Sequence, residues 1–467
     1  AFADLLCYLD NGLPKIGGDV RVNKPMAPIP GGSGLNTATH LSSLVRDFSP
    51  FPESEEFLDV MLQTSINEED EYGRVLMSHA KEHNFDLLNC KRKKVGKKQD
   101  GKKEGEEKSK LVTVEQPAST AHCIVIVADG ERSFISHLGV METFKASDTM
   151  LHELVNCRSA NPTFKNHHHH IHIAGYFNMP GFSNGNLKRR LQKIREKRRC
   201  NSHGLNTYTT TTSLVPQYDA TEKWDSGISD DLLPLVDFLI LNALEAGKIS
   251  KIPIDELDGG NDLNRAVVFT QLADFFWTKS PQTYVIVTLG KAGALAMYEG
   301  EIIASIHSPK VYNSPLDPTG AGDAFAAGFL YGITSWRQQR NHDTCAEIGS
   351  YLEGSWTEAI IEGLKYGSAA GTACVMTPGA SVPASKEKIE KLMNGDVSDD
   401  DEEGEEDGTN RDARSEESYD SEYDSSYYDD SDYDSDYYSR SDEYSENGGD
   451  DPVMDGNSNV EEKKDVK

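Results

Sequence analysis

The segment that most constrains the fold of this 467-residue chain is a glycine loop that leads directly into an apolar run. The loop reads Asp317-Pro318-Thr319-Gly320-Ala321-Gly322-Asp323, and small and apolar residues follow it through 330. The run predicts a buried helix, and the two glycines allow the backbone to approach a ligand closely. Because the first amides of a helix have no intrahelical acceptor and lie at its positive end, the junction predicts an anion site.

The second acidic residue of this loop, Asp323, lies where a negative side chain would not help an anion to bind. A carboxylate beside a phosphate site is useful as a base that takes a proton from an attacking hydroxyl. The alternative is a helix cap, since Asp caps helices well. For a single Asp-Gly pair we would prefer the helix-cap interpretation. The choice between a cap and a catalytic base therefore depends on the other residues of the loop.

Most of the negative charge of the chain lies in its last 72 residues. Residues 396–467 contain 29 acidic and 6 basic side chains, so they contribute −23 to the formal net charge of −30 and leave −7 for residues 1–395. The tail repeats Asp, Glu, Ser and Tyr without apolar periodicity and is predicted to be disordered. The mildly acidic body argues against nucleic acid as the main partner.

A second biased segment interrupts the body. Residues 91–110 contain ten Lys or Arg and four Asp or Glu with almost no apolar side chain, which predicts a disordered basic surface insertion. We therefore predict one domain over residues 1–395 with this insertion, followed by the acidic tail from 396. Seven scattered cysteines without a C-x-x-C pair favour a reducing compartment, and no apolar run is long enough to span a membrane.

Two separated motifs together carry a family resemblance. The string D-P-T-G-A-G-D-A-F-x-x-G-F at 317–329 resembles the second signature of the ribokinase-like (PfkB) carbohydrate and nucleoside kinases. The segment Gly31-Gly32-Ser33-Gly34-Leu35-Asn36-Thr37-Ala38 resembles the first signature, G-G-x-x-x-N-x-A. A motif of this length is far more specific than a lone glycine pattern, so the functional interpretation of both segments is preferred to helix capping.

The resemblance implies roles for the residues of both signatures. Asp323 would be the catalytic base, and the amides of Gly320, Ala321 and Gly322 would form an anion hole for the transferring phosphoryl group. Asp4, Gly32 and Asn36 would bind the substrate, because carboxylate and amide groups suit sugar hydroxyls.

Further family-like positions concern ATP and metal ions. The motif N-x-x-E after the apolar run 236–241 resembles another family motif, which implies that Asn242 lies near ATP and Glu245 near Mg²⁺, held through water. In the family, T-x-G-x-x-G after a strand contacts the ATP phosphates and ribose, so the resemblance implies this role for Thr288, Gly290 and Gly293. The resemblance also implies a monovalent cation such as K⁺ beside Asp317 and Thr319.

The implied fold is an α/β three-layer sandwich with a mostly parallel central sheet and a small β-lid. We assign strand 19–22 and the hairpin 122–136, with its turn at 129–132, to the lid, which in the family covers the sugar. His167–His170 would form the polar entry to a buried parallel strand that continues from Ile171 through His172 to Tyr176. Residues 188–199 would form a basic helix, and 360–377 a helix leading into a short strand. The family opens with a strand that is absent before Ala1, so we expect an N-terminally incomplete sequence from which targeting cannot be judged.

The implied activity is ATP-dependent phosphorylation of a sugar hydroxyl, as in ribokinases and fructokinases. Gly34-Leu35 before Asn36 favours the sugar branch, since the adenosine branch usually has Thr-Gln there. A nucleoside kinase and a catalytically inactive binding scaffold stay open as alternatives. We further expect a cytoplasmic protein that binds its small-molecule substrate and ATP, no nucleic acid or membrane partner, and a homodimer formed through the lid.

Overall fold

Apolar β-branched runs alternate with amphipathic segments along the chain, and they fold into strands and helices respectively. The computed structural model of the chain describes residues 1–395 except 10–12, 14–16, 23–24, 49–58, 91–117, 129–130, 152–168, 202–209, 225–226, 255–261, 312–316, 344–355 and 378. The predicted basic insertion and acidic tail therefore lie outside the described residues, as do the first two residues of the predicted turn at 129–132.

Strands and helices follow one another from the first residues to 394. The strands are β1 (Phe2–Leu9), β2 (Pro28–Gly31), β3 (Met61–Thr64), β4 (Asp86–Asn89), β5 (His122–Ala128), β6 (Glu131–His137), β7 (His169–Ala174), β8 (Thr210–Val215), β9 (Phe238–Asn242), β10 (Tyr284–Thr288), β11 (Ala294–Tyr298) and β12 (Glu301–Ile306). The helices are α1 (Ser33–Phe48), α2 (Glu71–Glu82), α3 (Asn186–Asn201), α4 (Ala243–Ser250), α5 (Asp262–Lys279), α6 (Ala321–Asp343), α7 (Trp356–Val375) and α8 (Lys386–Asn394).

The central sheet has the strand order β12-β11-β10-β9-β8-β7. Strands β7 to β10 are parallel neighbours, whereas β11 and β12 extend the sheet with antiparallel pairing. Strand β9 is buried on both faces, which explains its continuous apolar sequence. Leu239 and Leu241 pack with residues of α3 to α5, whereas Phe238 and Ile240 pack with α6 and α7. Helices thus cover both faces, and the predicted three-layer α/β sandwich is confirmed.

The lid is a separate four-stranded sheet in the order β2-β1-β5-β6. Strand β1 pairs in parallel with β5 and antiparallel with β2, and β5 and β6 form the predicted hairpin. Asp4 therefore lies within a lid strand, opposite Ile29 on one side and Cys123 on the other.

Two predicted strands are wrong. Residues 19–22 form no strand, and the antiparallel partner of β1 is the proline-containing segment Pro28–Gly31. This segment lies at the edge of the lid sheet, where a residue without an N–H group is tolerated. The short strand predicted toward residue 377 is absent because α7 continues to Val375 and a turn follows.

Helices α6 and α7 pack so closely that glycines line their contact. A Cβ atom on Gly328 would overlap with the Tyr366 carbonyl oxygen, and one on Gly332 would lie 2.7 Å from that of Glu362. The spacing of four residues places these glycines on one face of α6. Among the described residues, no helix is both long and apolar enough to cross a membrane.

Candidate active site

The carboxyl ends of the parallel strands meet the first turns of α1, α4 and α6. The last residues of β9 and β10, Asn242 and Thr288, are direct neighbours in the sheet register. A Cβ atom on Gly175, just after β7, would lie 3.8 Å from that of Ser33 at the start of α1. In open α/β sheets, ligands bind at this edge, so the candidate site has the expected location.

Asp323 lies in the first turn of α6 and both of its carboxylate oxygens are held by α1. The Ser33 hydroxyl donates a hydrogen bond of 2.6 Å to Oδ1, and the Asn36 amide donates one of 2.8 Å to Oδ2. All three side chains are buried. Because residues three apart lie on one helical face, the first signature presents Ser33 and Asn36 together to the second.

Three acidic groups around this position have raised pKa values. Burial raises the pKa of Asp323, and the hydrogen bonds from Ser33 and Asn36 partly oppose that effect. Burial also raises the pKa of Asp4 and of Glu245, each to about 7, and the negative charge of Asp323 contributes to both. Since the charge of Asp323 acts on both other groups, the three carboxyl groups lie near one another. A general base or a bound cation is a common reason for such an arrangement.

Gly31 provides the space that Asp4 occupies. A Cβ atom on Gly31 would overlap with the Asp4 carboxylate, whose Oδ1 lies 3.0 Å from that position. Gly32 has a positive φ of 85°, and its Cβ would lie 2.8 Å from the Phe2 amide nitrogen. The predicted substrate residues Asp4, Gly32 and Asn36 therefore belong to one contiguous junction between β1, β2 and α1. The Asn36 Oδ1 atom is buried without a hydrogen-bond partner.

The two glycines of the loop before α6 have different surroundings. Gly320 needs its left-handed backbone conformation, whereas Gly322 borders open space. Gly320 has a φ of 81°, and a Cβ there would lie 2.7 Å from the Ala380 carbonyl oxygen. A Cβ on Gly322 would meet no atom within 4 Å, so the helix start is open at that point. The Ala321 amide donates a long hydrogen bond of 3.3 Å to the Pro318 carbonyl oxygen.

Asp317 fixes the shape of this loop. Its Oδ1 accepts a hydrogen bond of 2.8 Å from the Thr319 amide, and its Oδ2 accepts one of 3.2 Å from the Gly379 amide. The Thr319 hydroxyl is buried and has no hydrogen-bond partner. The residues predicted to bind a monovalent cation thus tie the loop to the segment after α7 and leave one buried oxygen unsatisfied.

Asn242 and Glu245 form a reciprocal capping box at the start of α4. The Asn242 side chain accepts a hydrogen bond of 2.8 Å from the Glu245 amide, and the Glu245 carboxylate accepts one of 3.1 Å from the Asn242 amide. Helix capping therefore accounts for this spacing. Capping does not by itself account for the burial of Glu245, which is only 6% exposed.

The predicted nucleotide loop follows β10. Thr288 ends the strand, and residues 290–292 form a single 3₁₀ turn. A Cβ on Gly290 would meet nothing within 4 Å, whereas one on Gly293 would overlap with the Ile306 carbonyl oxygen. Gly290 therefore borders open space at the sheet edge, and Gly293 serves close packing against the end of β12.

The sequence prediction missed Ser33 as a site residue. Ser33 lies within the first signature, but the resemblance gives it no role, although its hydroxyl makes a short bond to the predicted base. Its position three residues before Asn36 is the available signal, because that spacing places both polar side chains on the same face of a predicted helix.

Comparisons with known proteins identify related kinases. The model of the pfkB family carbohydrate kinases matches residues 98–387, which is more than half of the chain. Adenosine kinase from Dictyostelium discoideum is 23% identical over 278 residues, which cover 59% of this chain and 68% of that protein.

Solved structures resemble the fold at low sequence identity. A ribokinase from Giardia lamblia is 18% identical with a TM-score of 0.57, and the likeness covers 84% of this chain and 96% of that one. A fructokinase from Vibrio cholerae O395, solved with fructose, ADP and a calcium ion, is 16% identical with a TM-score of 0.51 and the same coverage. The fold is ribokinase-like, and the match to the family model shows that this chain belongs to the pfkB family of carbohydrate kinases.

Proposed function

We propose that the protein transfers the γ-phosphoryl group of ATP to a hydroxyl group of a sugar, with Asp323 as the general base. The observation that carries the proposal is the pair of hydrogen bonds that fixes both oxygens of a buried carboxylate, at 2.6 and 2.8 Å, beside the open start of α6. Membership of a carbohydrate kinase family supports a phosphotransferase activity.

In the proposed reaction, Asp323 accepts the proton of the attacking hydroxyl while the hydroxyl oxygen bonds to the γ-phosphorus. The bond from that phosphorus to the β,γ-bridging oxygen breaks, and ADP leaves. The amides of Gly320 and Gly322 would face the developing charge at the positive end of the helix dipole. The Ala321 amide would join them by giving up its long hydrogen bond to the Pro318 carbonyl oxygen. The space beside Gly322 is consistent with a phosphoryl group at this point.

The proposed substrate site consists of Asp4, Gly32 and Asn36. The unpartnered Oδ1 atom of Asn36 is a free acceptor for a sugar hydroxyl, and the Asp4 carboxyl can hold two hydroxyls at once. The nucleotide would lie along Asn242, Thr288, Gly290 and Gly293, where two neighbouring strands end.

The acidic groups fit the cations that such a reaction requires. Glu245 is buried with a pKa raised by burial and by Asp323, so a divalent cation held through water would relieve an otherwise costly negative charge. When bound, Mg²⁺ would neutralise charge on the phosphates. Asp317 and the unsatisfied hydroxyl of Thr319 fit a monovalent cation such as K⁺.

A nucleoside kinase is the second candidate, because the curated relative from Dictyostelium discoideum is an adenosine kinase. The sugar branch is favoured by Gly34-Leu35 before Asn36. Both candidates require the same base and the same phosphate site, so they differ only in the acceptor.

The test is an ATP-consumption assay of the full chain over pentoses, hexoses and nucleosides, with Mg²⁺ and K⁺ present. Asp323→Asn serves as the inactive control. We expect turnover with a sugar that the control lacks. Turnover with nucleosides alone would select the second candidate. A folded protein that turns over neither class would be a catalytically inactive binding scaffold.

The lid also supports the homodimer that the family resemblance implies. Phe134 and Ile135 are 58% and 59% exposed on the edge strand β6. Two exposed apolar side chains on an open edge favour pairing with a second copy. Sedimentation should show a dimer for the full chain and a monomer for Phe134→Asp, and a monomeric wild type would refute the assembly without affecting the proposed reaction.

A further inference from the structure

The last turn of α2 carries two histidines and a glutamate with the spacing of metal ligands. His79, Glu82 and His83 follow the pattern i, i+3 and i+4, which places three side chains on one helical face. One candidate ligand atom from each of them lies within 4.8 Å of the other two. The His79 and His83 rings are close, with centroids 4.2 Å apart. None of these residues has a role in the proposed kinase reaction.

The hydrogen bonds of His79 assign its tautomer. The Thr39 hydroxyl donates to the Leu35 carbonyl oxygen at 2.8 Å, so its proton is already used. The His79 Nε2 atom lies 2.9 Å from the same hydroxyl oxygen and therefore donates to it. This leaves the lone pair on Nδ1. Histidine ligands of metals are typically oriented in this way, with the second ring nitrogen donating to the protein.

The backbone around His83 is held in place. The His83 amide caps α2 by donating to the carbonyl oxygens of His79 and Lys81. The Ser42 hydroxyl of α1 donates to the His83 carbonyl oxygen at 2.8 Å. The cluster thus lies at the negative end of a helix dipole, which favours a cation, and its ligands are positioned by a neighbouring helix.

We propose that His79, Glu82 and His83 bind one divalent transition-metal ion of the zinc type. Two histidines four residues apart on a helix bind zinc in known metal sites, and a third ligand leaves one position of a tetrahedron for water. Imidazole nitrogen suits zinc, copper or nickel, whereas Mg²⁺ and Ca²⁺ prefer oxygen. The proposed ion therefore differs from the Mg²⁺ of the kinase site in both chemistry and place.

The test measures Zn²⁺ binding by equilibrium dialysis and Co²⁺ binding by visible absorption, with the full chain freed of metal by a chelator. The matched variants are His83→Gln in the cluster and His307→Gln at an exposed histidine outside it. Since the chain also has a histidine run at 167–170, the readout is the difference between these proteins. We expect wild type and His307→Gln to bind one more equivalent than His83→Gln and to show the tetrahedral Co²⁺ bands that it lacks.

Two further variants exclude a folding effect. Glu82 is exposed, so Glu82→Gln should weaken Zn²⁺ binding without loss of structure. Thr39→Val removes the hydrogen bond that orients His79 and should weaken binding by roughly 10–100-fold. Zn²⁺ should also raise the Tm of wild type and not of His83→Gln. Equal stoichiometry, affinity and Co²⁺ spectrum in wild type and His83→Gln would overturn the proposal, and the histidines would then serve only to pack α2 on α1.

Discussion

At the scale of single residues, the proposed reaction depends on the carboxylate of Asp323, whose two oxygens each accept a hydrogen bond from α1. A base held by two donors is oriented, yet its proton affinity is reduced by them. Burial acts in the opposite direction and is the larger effect on the Asp323 pKa. The balance gives a carboxylate that is easier to protonate than an exposed aspartate, which suits a general base.

We predict that Asp323→Asn abolishes most turnover while leaving the fold intact. The amide keeps the shape of the carboxylate but cannot accept the proton, and loss of a general base costs on the order of 10²–10⁴ in rate. The loss should fall on kcat more than on sugar affinity. Steady-state kinetics of this variant and of the control Asp47→Asn, near the end of α1, check it. A near-normal kcat would leave Asp323 as a helix cap.

The pH dependence of kcat gives an independent test of the same residue. A base must be deprotonated, so activity should rise with pH through the raised pKa of Asp323. The Ser33 hydrogen bond lowers that pKa, and Ser33→Ala should therefore move the acid limb of the profile to higher pH. Ser43→Ala, elsewhere on α1, should leave the limb in place. An acid limb that does not move, or that moves to lower pH, would contradict the role of Ser33.

At the scale of elements, the two glycines of the loop before α6 meet different structural requirements. Gly320 needs its left-handed backbone and the space beside Ala380, whereas Gly322 leaves space that no protein atom fills. The family signature contains both residues without distinguishing these roles. The three-dimensional contacts give Gly320 a role in the fold and leave space beside Gly322 for the proposed phosphoryl group.

We predict that Gly320→Ala and Gly322→Ala have different effects. A left-handed alanine costs about 1–2 kcal/mol, and the contact with the Ala380 carbonyl adds to it, so Gly320→Ala should lower both Tm and activity. Gly322→Ala should keep the wild-type Tm and lose activity, because its methyl group occupies the phosphoryl position. Thermal unfolding and ATP kinetics of the two variants check this. An active Gly322→Ala enzyme would mean that the phosphate lies elsewhere.

Strong local sequence patterns correctly predicted the helices and strands that contain them. The strand predictions failed where pairing between distant segments determines the structure. The hairpin predicted at 122–136 and the basic helix predicted at 188–199 are both confirmed. The alternation at 19–22 suggested a strand, yet Pro28–Gly31 pairs with β1 because its last glycine accommodates Asp4. Likewise, the capping box that starts at Asn242 cannot be distinguished from a metal motif by spacing alone. Contacts between distant segments, such as α1 with the start of α6, are not encoded in local periodicity.

At the scale of the whole molecule, the described residues end at the capped C-terminus of α8. Gly395 caps α8 in a left-handed conformation, and its amide donates to the carbonyl oxygens of Leu392 and Lys391. The acidic residues from 396 onward follow this cap. The cap gives a natural position at which to separate the kinase body from the tail.

We predict that removal of residues 396–467 leaves kcat and KM nearly unchanged. The tail carries 29 acidic and 6 basic residues, a composition that cannot bury enough apolar surface to fold by itself. The kinetics of the full chain and of the chain ending at Gly395 should agree at physiological ionic strength. A large change in either constant, removed by high salt, would show that the tail docks on the body by charge.

The pairing of α1 with the start of α6 also has a consequence for biosynthesis. Ser33 and Asp323 are separated by 290 residues, and at roughly 5–20 residues per second a ribosome needs about 15 to 60 s to make that interval. The Tyr331 hydroxyl and the Ala380 carbonyl, which contact Phe48 and His40, emerge later still. Throughout this time Ser33 and Asn36 lack the carboxylate that holds them, whereas Leu35 and Ala38 of the same helix can already pack against α2. The candidate site is therefore completed late in synthesis, on a helix whose other contacts can form early.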